Sequence, residues 1–257
     1  MRQNFQVTRA TNEELKNFNM NQIIPAILPK SREELVEKLN KLVEAGYSGG
    51  IQIDVCDGSF VETRTWPMNE KGDLFDLVDV VEDDQEFHKK LEGFSIELDL
   101  MVKNADQYCP LWEMFHPDHI VFHLDSLENN EWLATQFALS FNAFSWLRPE
   151  ITVFAFSIST DLEKFQYWYQ YFNCRKVQVM GIKEIGKQGE PFDSRVIEYI
   201  QILKEKYPGI EIQVDGSVNT ETIGILESAG ATRFICGSSV FSGDVSENIA
   251  KLKSLLQ

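Results

Sequence analysis

Short apolar, β-branched runs alternate with amphipathic stretches along nearly the whole chain. The runs are IIPAIL (23–28), GGIQID (49–54), FSIELDLM (94–101), HIVFHL (119–124), ITVFAFS (151–157), KVQVM (176–180), IEIQVD (210–215) and RFICG (233–237). Each has the length and residue types of a strand. Between them, apolar residues recur at helical spacing. Ser31 with Glu34 makes a capping box ahead of Leu35, Val36, Leu39, Leu42 and Val43, and Gly46 closes that helix. Asn104 with Gln107 opens another in the same way. Asp193 precedes Val196, Ile197, Ile200 and Leu203, with YPG (207–209) as the stop; Asn219 starts a helix ending at Gly230, and Asp244 starts the last. The long connection from Val55 to Gly93 predicts a loop with one or two short helices, DLFDLVDVV (73–81) and DQEFHKKL (84–91). The first twenty or so residues predict a further short helix, with Asn12 as N-cap and Leu15 and Phe18 turned to the barrel bottom.

Eight strands with interposed helices point to a (β/α)8 TIM barrel, read as a single domain over 1–257 with 1–22 as an N-terminal extension. A doubly wound open sheet is the runner-up, since counting strands does not separate the two. No Pro/Gly/Ser-rich linker divides the chain, and no repeat shows in its sequence. With 43% apolar residues among 257 the chain can build a large core, and 25% charged residues suit a soluble globule. A formal charge of −16 argues against nucleic acid or an anionic membrane as partner, because both need basic surface. It leaves room for a small anion, which backbone amides bind without net positive charge. Cys56, Cys109, Cys174 and Cys236 are irregularly spaced and read as reduced, buried thiols, which favours the cytoplasm. The N-terminus lacks an apolar signal core, and no apolar run reaches membrane-span length.

A barrel of this kind carries its chemistry at the C-terminal strand ends. There the sequence offers Gln52 and Asp54, then Glu97, Asp99 and Met101, His123 and Asp125, Met180, VDGS (214–217), and CGSS (236–239). The loops after strands six, seven and eight carry Gly186 and Gly189, Gly216, and Gly237. Each alone reads as a turn residue; three adjacent loops of this kind favour a phosphate site on backbone amides. Asp54, Asp99 and Asp215 form an acidic set. Three carboxylates in a closed pocket need a counterion or a shared proton, whereas a strand-end aspartate taken singly is about as often a turn cap.

These segments, in order from about Ile23 to Phe241, resemble the ribulose-phosphate 3-epimerase family. IIPAIL is similar to the family's "iaPSiL", IQIDVCDGSFV to "iHvDvMDGhFV", LDLMV to "vHLMV", and IVFHLDS to "itfHvEa". VQVM with the loop holding Gln188 and Phe192 resembles "vlvMsVnPGfgGQ.F", and IQVDGSVNTETIGILESAGATRFICGSSVF resembles the family's "VDGGVn" and "GSaiF" segments. The resemblance implies a barrel that inverts carbon 3 of a ketose phosphate through a metal-stabilised enediolate. It implies Asp54 and Asp215 as acid/base pair and metal ligands, and phosphate on amides near Gly189, Gly216, Ser217, Gly237 and Ser238. Met101 and Met180 match two of the three methionines lining the family's pocket, and His123 matches a family histidine with either a core or a site role. It further implies a small phosphorylated sugar as partner, a homo-oligomer and a cytoplasmic protein.

The departures fall at the metal. Gln52 and Asp99 stand where the family has its two metal-binding histidines, Ala26 replaces the first-strand serine, Cys56 the third methionine, and Ser217 the second glycine of the VDGG segment. A set of Gln52, Asp54, Asp99 and Asp215 is all oxygen, which suits magnesium or manganese better than zinc or iron, and no metal at all is the other outcome. Ala26 and Cys56 open space for a ketohexose 6-phosphate. Two readings compete. A 3-keto sugar phosphate aldolase or decarboxylase needs a lysine in a D-x-K-x-x-D segment, but Leu100 and Met101 follow Asp99, and Lys103 is at the wrong offset. A catalytically inactive sugar-phosphate-binding or partner-binding barrel is the other, since fold does not fix activity; retention of both aspartates weighs against it.

Overall fold

A computed structural model describes residues 22–68, 85–103, 105, 115–126, 150–172, 175–187 and 189–257. Among them eight parallel strands close into a barrel in sequence order: β1 (Gln22–Ile27), β2 (Gly50–Cys56), β3 (Ser95–Met101), β4 (His119–His123), β5 (Thr152–Phe156), β6 (Lys176–Met180), β7 (Glu211–Asp215) and β8 (Arg233–Cys236). Closure is the pairing of β1 with β8, Ile24 opposite Ile235, which eliminates the open sheet. The helices are α1 (Arg32–Glu44), α2 (Gln85–Leu91), α3 (Leu162–Phe172), α4 (Arg195–Lys206), α5 (Ile223–Ala229), α6 (Ser238–Phe241) and α7 (Val245–Lys253). The helices predicted in the N-terminal extension, at 73–81 and from Asn104 lie outside the described residues. Among the described residues no helix is long and apolar enough to cross a membrane.

Period-two alternation assigns the two faces of each strand. In β2, Ile51, Ile53 and Val55 join the main apolar core with Leu35, Leu39 and Leu42 of α1, while Gln52 and Asp54 turn inward. Strands β3, β6 and β7 repeat the pattern, sending Glu97 and Asp99, Gln178, and Gln213 into the barrel. The large core therefore lies between strands and helices. Among the described residues the apolar contacts inside the barrel include three small clusters, Ile24–Ala26–Ile235, Val121–Val153–Ala155, and Cys56 with Met101 and Val61 near its C-terminal end.

Helix α1 starts as predicted: the Ser31 hydroxyl accepts the Glu34 N–H at 3.2 Å, and the chain leaves through Gly46 at φ +69. Val43, though part of the same apolar pattern, is 58% exposed, because Leu35, Leu39 and Leu42 already centre the buried stripe. Asp244 caps α7 through the Glu247 N–H. Helix α5 begins at Ile223 rather than Asn219. There Asn219 Oδ1 accepts the Glu221 N–H at 2.8 Å and Thr222 Oγ1 accepts the Asn219 N–H at 3.0 Å, so local side-chain bonds replace the first helical turn.

Candidate active site

At the C-terminal end of the barrel lies a cavity of about 400 Å³, the size of a small-ligand site. Asp54 from β2 and Asp215 from β7 line it, with Ala26, Met101 and Met180 as apolar wall. Gly189, Gly216, Ser217, Gly237 and Ser238, predicted as phosphate-binding, border the same cavity. Gly216 has φ +97, and a Cβ there would stand 2.7 Å from the Ile182 side chain. Only glycine turns the chain at this point without displacing the wall. Next to it Ser217 adopts φ +54, uncommon for a residue with a side chain. Its hydroxyl donates to the Glu190 carbonyl, tying the β7 loop to the β6 loop, so that hydroxyl is committed to the loop contact.

Both cavity carboxylates are shifted toward the protonated form. Burial, then the neighbouring Asp215 and Asp99 charges, raises Asp54 well above the usual carboxylate range, and the Gln52 amide opposes this. Burial and then Asp99 push Asp215 up to about 7, against His123 and the Gly216 N–H, which lower it. Two such groups facing one space favour one proton held between them at neutral pH.

The remaining predicted residues lie elsewhere. Gln52 and Asp99 are fully buried beneath the cavity floor rather than on its wall. Cys56 is also fully buried, with its Sγ 4.0 Å from Met101 Sδ, and supports the wall from behind. Asp99 Oδ1 meets His123 Nε2 at 2.7 Å; Asp99 Oδ2 accepts from Gln178 Nε2 at 2.7 Å and from Gln52 Nε2 at 3.4 Å. Gln52 Nε2 also donates to Asp54 Oδ1 at 2.9 Å, which leaves its buried Oε1 without a partner. Burial alone would discharge His123, but the Asp99 carboxylate outweighs it and raises the imidazole pKa, with Asp215 and Asp125 adding to the effect. His123 is thus the partner of Asp99, with Phe60 packed on its ring.

Sequence reasoning missed Gln178 and Gln213, polar residues on the inward face of otherwise apolar strands, for which the alternation in VQVM and IQVD is the signal. It also passed over Lys187, whose chain lines the cavity while its ammonium pairs with Glu184 at 2.9 Å and Glu62 at 3.5 Å.

A divalent metal does not fit the predicted ligand set as it is arranged. Both Asp99 oxygens are occupied by nitrogen groups, and Gln52 turns its NH2, not its carbonyl, to the carboxylates. Among the described residues no group of three His, Cys, Asp or Glu side chains is placed to hold an ion.

The sequence model of the ribulose-phosphate 3 epimerase family matches residues 22–241. The chain is 24% identical over 236 residues to the cytoplasmic isoform of ribulose-phosphate 3-epimerase from Oryza sativa subsp. japonica, covering 91% of this chain and 94% of that one. It is 26% identical over 226 residues to the Aquifex aeolicus ribulose-phosphate 3-epimerase, covering 85% and 90%. Among solved structures, 3-keto-L-gulonate-6-phosphate decarboxylase from Vibrio cholerae superposes with a TM-score of 0.62 at 12% identity, covering 92% and 97%. A 3-hexulose-6-phosphate synthase superposes at 0.59 and 16% identity, covering 93% and 100%. At such identities the structural likeness speaks for the fold alone.

Proposed function

This chain belongs to the ribulose-phosphate 3-epimerase family, and from that premise we propose that it inverts carbon 3 of a ketose phosphate by proton transfer between Asp54 and Asp215. The observation that carries the reading is the placement of both carboxylates on one cavity, from β2 and β7, each with its pKa raised. At neutral pH one of the two holds a proton and the other is ionised. Asp54, raised by burial and by both neighbouring carboxylates, is taken as the acid, and Asp215, near 7, as the base.

In one direction the Asp215 carboxylate takes the C3 proton and the C3–H electron pair moves into the enediolate, whose charge replaces the charge lost on Asp215. The Asp54 carboxyl then gives its proton to the other face of C3. The site carries the same total charge throughout, so the enclosed cavity need not accommodate a second negative charge on the carboxylates. The reverse reaction exchanges the roles. The glycine loops hold the phosphate on backbone amides, which suits a chain whose net charge is −16. Met101, Met180 and Ala26 shape the space beside the sugar carbons. Substrates of this class are ribulose 5-phosphate with xylulose 5-phosphate, or a ketohexose 6-phosphate.

Incubation with each candidate in deuterated water tests the reading. Deuterium entering C3, with the C3 epimer as product, is expected. Failure of every ketose phosphate to exchange at C3 would overturn it.

A further inference from the structure

Inside the barrel, below the cavity, buried side chains form a hydrogen-bonded chain whose direction is set at one end. Arg233 has donors only. Its Nε donates to Gln213 Oε1 at 2.9 Å, and its Nη2 to Glu97 Oε2 at 3.1 Å. With its oxygen committed to Arg233, Gln213 presents Nε2 to Gln178 Oε1 at 2.6 Å and to Glu97 Oε1 at 2.8 Å. Gln178 is thereby left with its own Nε2 toward Asp99 Oδ2, at 2.7 Å. Reversal of Gln213 would set nitrogen against guanidinium, and reversal of Gln178 would set oxygen against Asp99. Gln52, Asp99, Gln178 and Gln213 are each fully buried, so water does not relax the constraint. Asp99 thus receives amide N–H groups on Oδ2 and meets His123 on Oδ1. A cation approaching Asp99 would have to displace His123 from Oδ1 and, from Oδ2, the Gln178 amide, whose direction is fixed through Gln213 by Arg233.

We propose that this chain works without a divalent metal, and that the chain from Arg233 through Gln213 and Gln178 to Asp99, continued by Gln52 to Asp54, holds the acid/base carboxylate that a metal holds elsewhere in the family. Gln52 and Gln178 are then positioning residues: they touch Asp99 and, through Gln52, Asp54, but do not line the cavity. The catalytic half of this inference rests on the proposed epimerase reading.

The test uses the full chain after chelator dialysis. Calorimetric titration with Mg²⁺, Mn²⁺ and Zn²⁺ is expected to show no one-to-one binding, and C3 deuterium exchange is expected to proceed at the same rate in excess EDTA. One-to-one binding that is lost in Asp54→Asn would overturn the inference, because it would mean that Gln52 rotates to offer Oε1 to an ion. So would exchange that stops in EDTA and returns with metal. Absence of exchange under every condition would instead sink the epimerase reading, while the titration still decides the metal. Gln178→Leu, which removes the N–H from Asp99, is expected to lower kcat about tenfold or more with KM little changed, and to move the pH–rate profile. An unaltered kcat and pH profile in a folded variant would count against positioning.

Discussion

In the proposed reaction Asp54 and Asp215 carry the proton transfer, and they are held differently. Asp54 accepts from Gln52, while Asp215 is moderated by His123 and the Gly216 N–H. Replacing either by Asn removes one member of the proton-transfer pair and is expected to lower turnover about 10²–10⁴-fold, measurable by a coupled or exchange assay. On the proposed assignment of Asp215 as base, with a pKa of about 7, kcat/KM should rise with pH through that value and then level until Asp54 also ionises. A profile flat from pH 5 to 8 would contradict this assignment. At Gly216 the constraint is steric. Gly216→Ala forces a Cβ against Ile182 at a φ of +97 and should cost about 1–3 kcal/mol in urea unfolding.

Helices and loops divide the work of support and recognition. Helices α1 and α7 open with side-chain caps, Ser31 and Asp244, that satisfy N–H groups the helix itself leaves bare. Asp244→Ala should cost about 1 kcal/mol of stability by denaturant titration, with C3 exchange unchanged, since this cap stands outside the proton-transfer machinery. The β7 loop is held by a different device. The Ser217 carbonyl accepts from Asn219 Nδ2 at 3.1 Å and from Thr222 Oγ1 at 2.8 Å, and the Ser217 hydroxyl reaches Glu190. These bonds hold a wall of the cavity rigid without regular structure, and they delay the start of α5.

At the scale of the whole molecule, the interface between barrel and helices is apolar while the barrel interior mixes apolar clusters with a polar network, and both ends of the interior carry titratable groups. Arg233 and Glu97, both nearly buried, neutralise each other at one end. Arg233→Met strands the Glu97 charge and should cost about 3–5 kcal/mol, whereas replacing Glu97 by Met as well should recover part of the loss. His119 there is pushed down to about 2 by burial, then by Lys176 and Arg233, so it stays neutral beside Lys176 Nζ at 2.6 Å. At the other end, Asp215 binds its proton more tightly folded than unfolded, about 7 against the ordinary aspartate value near 3.9. Its stabilising contribution is therefore complete below about pH 4 and disappears as pH rises through 7. Urea midpoints should decline across that window, and Asp215→Asn should flatten the decline.

Strand positions, α1, α7 and ten of the residues lining the cavity were legible in the sequence, because period-two alternation, capping pairs and strand ends are local properties. Asp54, Asp215, Met101, Met180 and the glycine loops converge because closure of the barrel brings successive strand ends to one rim. Tertiary structure alone decided which atom of each amide faces which carboxylate. Gln178 meets Asp99 across 79 residues of chain, and Arg233 meets Glu97 across 136. No local pattern encodes those contacts, yet they determine the charge and hydrogen-bond supply of the floor. Gln52 and Asp99 stand at ligand positions by sequence, but a side chain's donor or acceptor role is fixed by its buried neighbours, and here those neighbours are nitrogen donors.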